Sequence, residues 1–425
     1  MKILELSPYA YFKGKKGFKK NRSGFAYAVS DTCKALADNG DDVYLITQSA
    51  ITNGFEDDGV IIPRKRWKDI LINVSISDFS LGIQAIKGYH AKYVAKLKVI
   101  YYFLNTGYVK KQIRLIDPDI IHIQSIGFYT IPFMLAAAAS GKPFIITNHG
   151  LVTFLDSDSV DSKQKKMEGI FFNLASRYET QVTVVSSGIK NRITEYLKVN
   201  GDNITVILNS YEPTCLKKNL NYEKLLKNHL GIDHNSITYI CVGSISKRKN
   251  QIQIARAYNL IDDSIRHRIK IIFAGSGPQE RELREYIIKH ELSPNLIVCG
   301  NIDHEELANY YRIADYTITA SKDEGFGLPI IEGYYFGLPA VAFSDLDAIS
   351  DINNEKSSLL VYERTDQALA NGILKVLDID WDREAIKKIA QNFSREKMAQ
   401  NYHKIFEYSR KNGSGFPFEE IAKLI

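Results

Sequence analysis

The sequence predicts an α/β protein of two Rossmann-like domains, each built on a parallel sheet, and three observations predict it. Short Ile- and Val-rich runs alternate with longer segments of helical period from end to end. Most of the runs are continuous rather than alternating, as strands covered on both faces should be. The pattern also runs through twice, with a polar, Lys- and Asn-rich stretch from Ser210 to about Asn235 between the copies. The expected domains are residues 1–211, residues 212–392, and a helical tail over 393–425.

In the first copy the strand candidates are Ile3–Ser7, Val43–Thr47, Ile120–Gln124, Phe144–Asn148, Val182–Ser186 and Ile204–Leu208. In the second they are Ile237–Val242, Ile269–Ala274, Leu296–Cys299, Tyr316–Ala320, Ala340–Phe343 and Leu359–Tyr362. Helical stretches at Ser23–Asn39, Gln251–Ile261, Gln279–His290 and Glu305–Ala314 turn these into βαβ units. The tail, Ser394 to Lys411, reads as one long helix with Phe393, Met398, Tyr402, Ile405 and Phe406 on an apolar stripe. It either caps the second domain or crosses back onto the first.

Composition narrows the classes. The 425 residues are 45% hydrophobic and 24% charged, the balance of a globular protein rather than a disordered or fibrous one. Cys33, Cys215, Cys241 and Cys299 are scattered with no Cys-x-x-Cys, which argues against a zinc site or a disulfide framework and fits a reducing cytosol. Met1–Leu6 lack the apolar core of a signal peptide, and the most apolar window, Tyr129 to Ala139, is too short to span a bilayer. The net charge of +6 lies wholly in the first half: 27 Lys+Arg against 19 Asp+Glu up to residue 210, and 28 against 30 beyond it. Whatever the first half touches is expected to be acidic.

The strongest motif is Asp323-Glu324-Gly325-Phe326-Gly327-Leu328-Pro329-Ile330-Ile331-Glu332, directly after the strand Tyr316–Ser321. A Gly-rich turn opening a helix near Pro329 presents backbone N–H groups suited to phosphate. Glu324 on the loop and Glu332 in the first turn of the helix could reach opposite ends of a phosphate-linked ligand, as carboxylates that accept from sugar hydroxyls. A second motif is Gly243-Ser244-Ile245-Ser246-Lys247-Arg248-Lys249, whose three consecutive cations follow a strand where open α/β sheets bind ligands. Gly275-Ser276-Gly277-Pro278 is a third strand-to-helix turn, lacking the third glycine of a dinucleotide fingerprint; a plain turn accounts for it equally. In the first half, Asn21-Arg22-Ser23-Gly24-Phe25 leads from a basic loop into a helix, and Gly24 would let backbone approach a phosphate closely. His122 reads as a packed residue as readily as a functional one. His149, ending a strand before Gly150, reads as facing the crevice.

Taken in order, these residues resemble glycosyltransferase family 4, retaining transferases of the GT-B fold with a Glu-x7-Glu signature, the spacing of Glu324 and Glu332. The likeness covers nearly the whole chain, including Ser186-Ser187, Leu208-Asn209, Ala314-Asp315 and Gly337-Leu338-Pro339. It implies that Glu332 holds the ribose of a nucleotide, that Glu324 faces the donor sugar and that Lys249, helped by Arg248, pairs with the diphosphate. Ser244, Gly275, Gly325, Phe326, Gly327 and Leu328 would line the donor pocket, with Gly24 approaching from the opposite domain and His149 contacting the sugar. It also implies that the domains close over the donor and that the tail crosses back to the first domain. The chain departs from the family at Ser244, where Arg is usual, at Gln124, where a second His is usual, and at Ser344–Ala348, which lack paired glycines.

On this resemblance the expected reaction moves a sugar from a nucleoside diphosphate sugar, with UDP the expected nucleotide, to a glycan, lipid-linked or cell-envelope polymer acceptor, with retention and without a metal or other cofactor. Lys13–Arg22, with Phe12, Phe18 and Phe25 among its charges, and Lys87–Lys98 suit an anionic membrane surface, an acidic acceptor or plain solvent. Nucleic acid is not expected, since no recognition motif accompanies the charge. A cytoplasmic protein, peripheral at the inner face of a membrane, is the expected setting. A non-catalytic partner subunit and a nucleotide-sugar epimerase are the alternatives; a nicotinamide oxidoreductase would need glycines after the first strand, where Ser7-Pro8-Tyr9-Ala10-Tyr11 has none.

Overall fold

The computed structural model of the chain describes residues 1–19, 23–87, 93–150, 162–213, 220–353 and 355–425. Asn21, Arg22 and Cys215, residue 20 of the Lys13–Arg22 loop and residues 88–92 of the Lys87–Lys98 segment lie outside them. The chain divides into two compact units, one made of Met1–Ser210 with Arg395–Ile425 and the other of Tyr211–Ser394.

The first unit is built on strands β1 (Lys2–Ser7), β2 (Asp42–Thr47), β3 (Phe55–Asp57), β4 (Val60–Ile62), β5 (Ile120–Gln124), β6 (Phe144–Asn148), β7 (Val182–Val184) and β8 (Ile204–Val206). They lie in the order β3-β4-β2-β1-β5-β6-β7-β8, and all neighbours are parallel except β3 and β4. Every residue of β5, β6 and β7 is buried, which is why these segments read as continuous apolar runs. The β3–β4 hairpin is absent from the sequence reading. Its signal is Asp58-Gly59, both at positive φ (49° and 75°), the turn that matches the twist of paired strands.

The second unit holds β9 (Ile237–Val242), β10 (Ile269–Ala274), β11 (Leu296–Gly300), β12 (Tyr316–Ile318), β13 (Ala340–Phe343) and β14 (Ser358–Val361). All are parallel, in the order β11-β10-β9-β12-β13-β14. The direction of winding therefore reverses between β9 and β12, and in such sheets the crevice outside the carboxyl ends of those two strands is where ligands bind. The expected helices are present with no end displaced by more than two residues, at Gly24–Asp38, Gln251–Asn259, Glu280–Lys289 and His304–Ile313.

The long helix expected in the tail is present as Arg395–Asn412, packs on helix Gly24–Asp38 in the first unit, and is followed by a short helix at Phe418–Ile421. Met398, Ala399, Tyr402 and Phe406 join the core around Ile3, Val29, Val43 and Ile120. The Arg395 guanidinium pairs with Asp31 at 2.6 Å, and Phe144 N–H donates to the Ser414 carbonyl at 2.8 Å. Sequentially the tail follows the second copy; structurally it belongs to the first unit.

Candidate active site

Two loops that are 75 residues apart in sequence meet at the winding reversal of the second sheet. Gly243–Asn250 leaves the end of β9, and Ser321–Gly327 follows β12. Lys322 N–H donates to the Arg248 carbonyl at 2.8 Å, the Arg248 guanidinium donates to the Asp323 carbonyl at 2.8 Å, and Lys249 Nζ pairs with the Glu324 carboxylate. Glu324 also accepts from the Ser321 hydroxyl at 3.3 Å. Burial alone would raise the Glu324 carboxyl, but Lys249 and Arg248 outweigh it and hold the group below the usual carboxylate range. Glu324 is thus an ionised carboxylate matched to cations on the neighbouring loop.

The third loop is laced to the first. Gly243 N–H donates to the Ala274 carbonyl, Ile245 N–H to the Ser276 carbonyl, and Gln279 N–H to the Ile245 carbonyl, at 3.0–3.1 Å. A Cβ on Gly275 would sit 2.0 Å from the Gly243 carbonyl oxygen, so only glycine fits. The Gly275 turn is therefore a spacer that lets the β9 and β10 ends approach. Ser244 is exposed on the loop that leaves β9, its carbonyl accepting from Gln251 Nε2 at 3.1 Å.

The helix Leu328–Tyr335 opens from Gly327 in the left-handed region (φ 82°), with Pro329 at its second position. The N–H groups of Gly327 and Leu328 have, by position, no acceptor inside the helix. Phe326 is buried and packs edge-on against Phe393 (5.9 Å), fixing the bend that carries Gly325. Glu332 is the fifth helical residue, and so stands in the second turn rather than the first. It is buried, and its Oε2 accepts from the Tyr311 hydroxyl at 2.5 Å; burial and the Glu332 charge push the Tyr311 hydroxyl well above its ordinary value. Tyr311 was missed in the sequence because it lies on a different helix, with no motif around it.

Gly24 and His149 belong to the first unit. Gly24 is the first residue of its helix, capped by the Ser23 hydroxyl, and a Cβ there would meet nothing within 4 Å. His149 follows β6, with Phe25 edge-on to its ring at 4.9 Å. Burial, helped by the charge of His122, pushes the His149 imidazole down to about 3, so it is neutral in ordinary buffers. Its Nε2 lies 2.7 Å from Gln124 Oε1, while Gln124 Nε2 donates to Glu5 at 2.9 Å. With the Gln124 amide so oriented, His149 carries its proton on Nε2 and keeps Nδ1 as an unprotonated acceptor. His122 is fully buried between Glu5 (2.8 Å) and the Thr147 hydroxyl (2.5 Å), which settles it as an interior residue that braces Gln124 through Glu5. Gln124, noted in the sequence only as a departure, thus has a definite place.

The basic loop of the first unit differs from expectation. Phe12 and Phe18 are in the core, where they form edge contacts with each other and with Phe55, and Lys15 pairs with Asp57. Only Phe25 of the three aromatic residues remains partly exposed. The aromatic component expected at that surface is a structural plug. Among the described residues no group of three or more His, Cys, Asp or Glu could hold a metal ion, and no helix is long and apolar enough to cross a membrane.

Two mostly parallel sheets, the second with a glycine-opened loop at its winding reversal, define a doubly wound α/β architecture, and comparisons with known proteins supply the family. Residues 22–214 match the family described as Glycosyltransferase Family 4, and residues 223–393 match Glycosyl transferases group 1. The chain belongs with these GT-B glycosyltransferases, as a group 1 member. It is 25% identical over 241 residues to an uncharacterised glycosyltransferase, MJ1607, of Methanocaldococcus jannaschii, covering 55% of this chain and 61% of that one. It is 28% identical over 198 residues to the alpha-monoglucosyldiacylglycerol synthase of Streptococcus pneumoniae, covering 46% of this chain and 43% of that one. The matches thus span about half of each of these relatives. In fold, the chain superposes on a glycosyltransferase from Rickettsia africae (TM-score 0.68, 18% identity, 97% of this chain and 99% of that one). It likewise matches Anabaena HepE in complex with UDP and glucose (TM-score 0.66, 18% identity, 96% and 100%).

Proposed function

We propose that this chain is a retaining hexosyltransferase that takes a sugar from a nucleoside diphosphate sugar, with UDP as the nucleotide, and delivers it to a glycan or lipid-linked acceptor of the cell envelope. The observation that carries the reading is the junction of the β9 and β12 loops, which joins Lys249, Arg248 and Glu324 beside the glycine-opened helix start. In this reading Lys249 leaves the Glu324 carboxylate to meet the donor diphosphate, with Arg248 and the Gly327 and Leu328 N–H groups beside it. These groups act where negative charge develops as the diphosphate departs, the task a metal ion serves elsewhere, so a metal is not required. Glu332, aimed by Tyr311, takes the ribose hydroxyls.

The bond from the anomeric carbon to the β-phosphate oxygen breaks, and the acceptor hydroxyl forms the new glycosidic bond on the same face. The acceptor's proton passes to the departing β-phosphate oxygen, so no side-chain nucleophile is needed. Relatives named as an alpha-monoglucosyldiacylglycerol synthase and as a galactosyltransferase for a diphosphoundecaprenol-linked sugar favour a lipid or lipid-linked acceptor. The test is incubation with a panel of nucleotide sugars, with and without lipid-linked and glycan acceptors, following nucleoside diphosphate release. Acceptor-dependent release from a UDP-sugar, lost in Lys249→Ala, is expected. Donor conversion without acceptor, or release unchanged in Lys249→Ala, would sink the reading.

A further inference from the structure

Five large apolar side chains stand exposed within thirteen residues of the first unit: Trp67 (58%), Leu71 (65%), Ile72 (78%), Ile76 (91%) and Phe79 (49%). They lie on two short helices, Trp67–Leu71 and Ile76–Ile86, and the turn between them. The second helix is inverted relative to an ordinary surface helix. Its inward face is Asp78, Gly82 and Ala85, all buried, and the Gly82 backbone lies against Phe103 and Ile100 of helix Tyr93–Leu104. Ile76, Phe79 and Ile83, spaced i, i+3, i+7, therefore form a stripe on the side away from the core. Small residues face in and large apolar ones face out.

The segment is firmly built. Lys65, buried, donates from Nζ to the carbonyls of Thr47 (2.8 Å) and Gln48 (2.9 Å), and its backbone pairs with Thr52. A Cβ on Gly107 would fall 1.7 Å from the Asn73 carbonyl oxygen, so the turn between the helices is seated directly on helix Thr106–Ile116. The Trp67 ring rests against Tyr101 at 5.2 Å. A rigid apolar face of this size is unusual for a protein surface that meets only water.

Charge identifies the occupant. From Arg64 to Ile116 the sequence has eleven Lys and Arg against two carboxylates, Asp69 and Asp78. Both carboxylates are engaged at helix starts: Asp69 accepts from the Arg66 backbone and guanidinium, and Asp78 from the Ser75 N–H. Arg64, Lys68, Lys87 and Lys98 are exposed around the apolar stripe. Arg64 shares Asp69 with Arg66, at 3.7 Å, which leaves Lys68, Lys87 and Lys98 as the surplus charge. An exposed apolar face with Trp and Phe, bordered by a surplus of cations, matches the boundary between acyl chains and anionic headgroups.

We infer that Trp67, Leu71, Ile72, Ile76 and Phe79 form a docking surface for an anionic lipid bilayer, the apolar side chains entering the headgroup boundary while the surrounding Lys and Arg meet the lipid phosphates. Lys87 and Lys98 come from the Lys87–Lys98 segment that the sequence suited to an anionic membrane, whereas the apolar side chains and the Lys13–Arg22 loop are separate from one another in sequence, and none of the five apolar residues belongs to the donor motifs. The test is flotation of the full chain with vesicles of phosphatidylcholine alone, or of phosphatidylcholine mixed with phosphatidylglycerol. Binding to the mixed vesicles, weakened by raised salt and by about tenfold or more in Ile76→Glu with Phe79→Glu, is expected. Because these side chains already face water, the double variant should keep its unfolding temperature and its UDP affinity. Failure to bind mixed vesicles, or equal binding by the double variant, would overturn the inference. So would a dimer in sedimentation that the double variant abolishes, since the face would then belong to a second copy of the chain.

Discussion

Glu332 and His149 carry the sharpest expectations at the scale of single residues. Tyr311 fixes the Glu332 carboxylate with a 2.5 Å hydrogen bond at the foot of the glycine turn, so the group is held in place before any nucleotide arrives. Charge-assisted bonds to two ribose hydroxyls contribute about 1.5–3 kcal/mol each, so Glu332→Ala should weaken UDP binding by at least about tenfold in calorimetry. Tyr311→Phe should weaken it less, because the carboxylate remains. Unchanged affinity in Glu332→Ala would remove the ribose role. For His149, the folded protein refuses a proton down to a pH of about 3, while the unfolded chain takes one near 6.5. Above about pH 6.5 both states are neutral at this residue and it contributes nothing to pH dependence. As pH falls from there toward 3, the unfolded state gains protons that the native state lacks, and stability declines. The His149 ring resonances should therefore stay fixed between about pH 8 and about pH 5 in NMR, and His149→Gln should lose less stability than wild type over that window. A His149 titration near 6.5 would contradict the half-buried, Gln124-bonded ring.

At the scale of elements, the donor loops depend on backbone approaching backbone. Gly275→Ala would set a methyl carbon against the Gly243 carbonyl with no flexible side chain to yield, so the β9 and β10 ends must separate. A loss of about 1–3 kcal/mol in stability, with weaker UDP binding, is expected from denaturant unfolding and calorimetry. Gly24→Ala, facing open space, should leave stability within about 0.5 kcal/mol. A neutral Gly275→Ala would show the turn to be a looser connector than its contacts require.

Elements also show what sequence can and cannot disclose. Twelve strands were legible because doubly covered strands write themselves as unbroken Ile and Val runs, as in Phe144–Asn148. The β3–β4 hairpin escaped because three-residue strands are too short to show a period, although Asp58-Gly59 marked the turn. The donor motifs were each legible, but their meeting was not: it depends on the strand order that sets β9 beside β12. The inverted helix Ile76–Ile86 escaped for a different reason. Periodicity reports that a helix has two unlike faces, and only packing reports which face turns inward. Phe12 and Phe18 misled for the same reason, since aromatic residues among lysines look identical in sequence whether they line a surface or plug a core.

For the whole molecule, the chain's return to its first unit decides how stability is distributed. The first unit's core draws Met398, Ala399, Tyr402 and Phe406 from the tail into contact with residues near the amino terminus. The second unit's clusters draw on residues from Leu226 to Val376. Phe406 is fully buried, stacked on Tyr402 (5.7 Å) and edge-on to His122 (5.5 Å), so it touches the same interior network that braces Gln124. Phe406→Ala should cost about 3–5 kcal/mol, and the loss should be felt by strands hundreds of residues earlier in the sequence. Hydrogen exchange read peptide by peptide locates it: faster exchange is expected in β1, β5 and β6, with β9, β10 and β12 unchanged. UDP should do the reverse, slowing exchange at Gly243–Asn250 and Ser321–Leu328 and leaving β1 and β5 as they were. If Phe406→Ala instead loosened β9 and β12, the tail would be stabilising the second unit, and the division of the chain into separately cored units would be wrong.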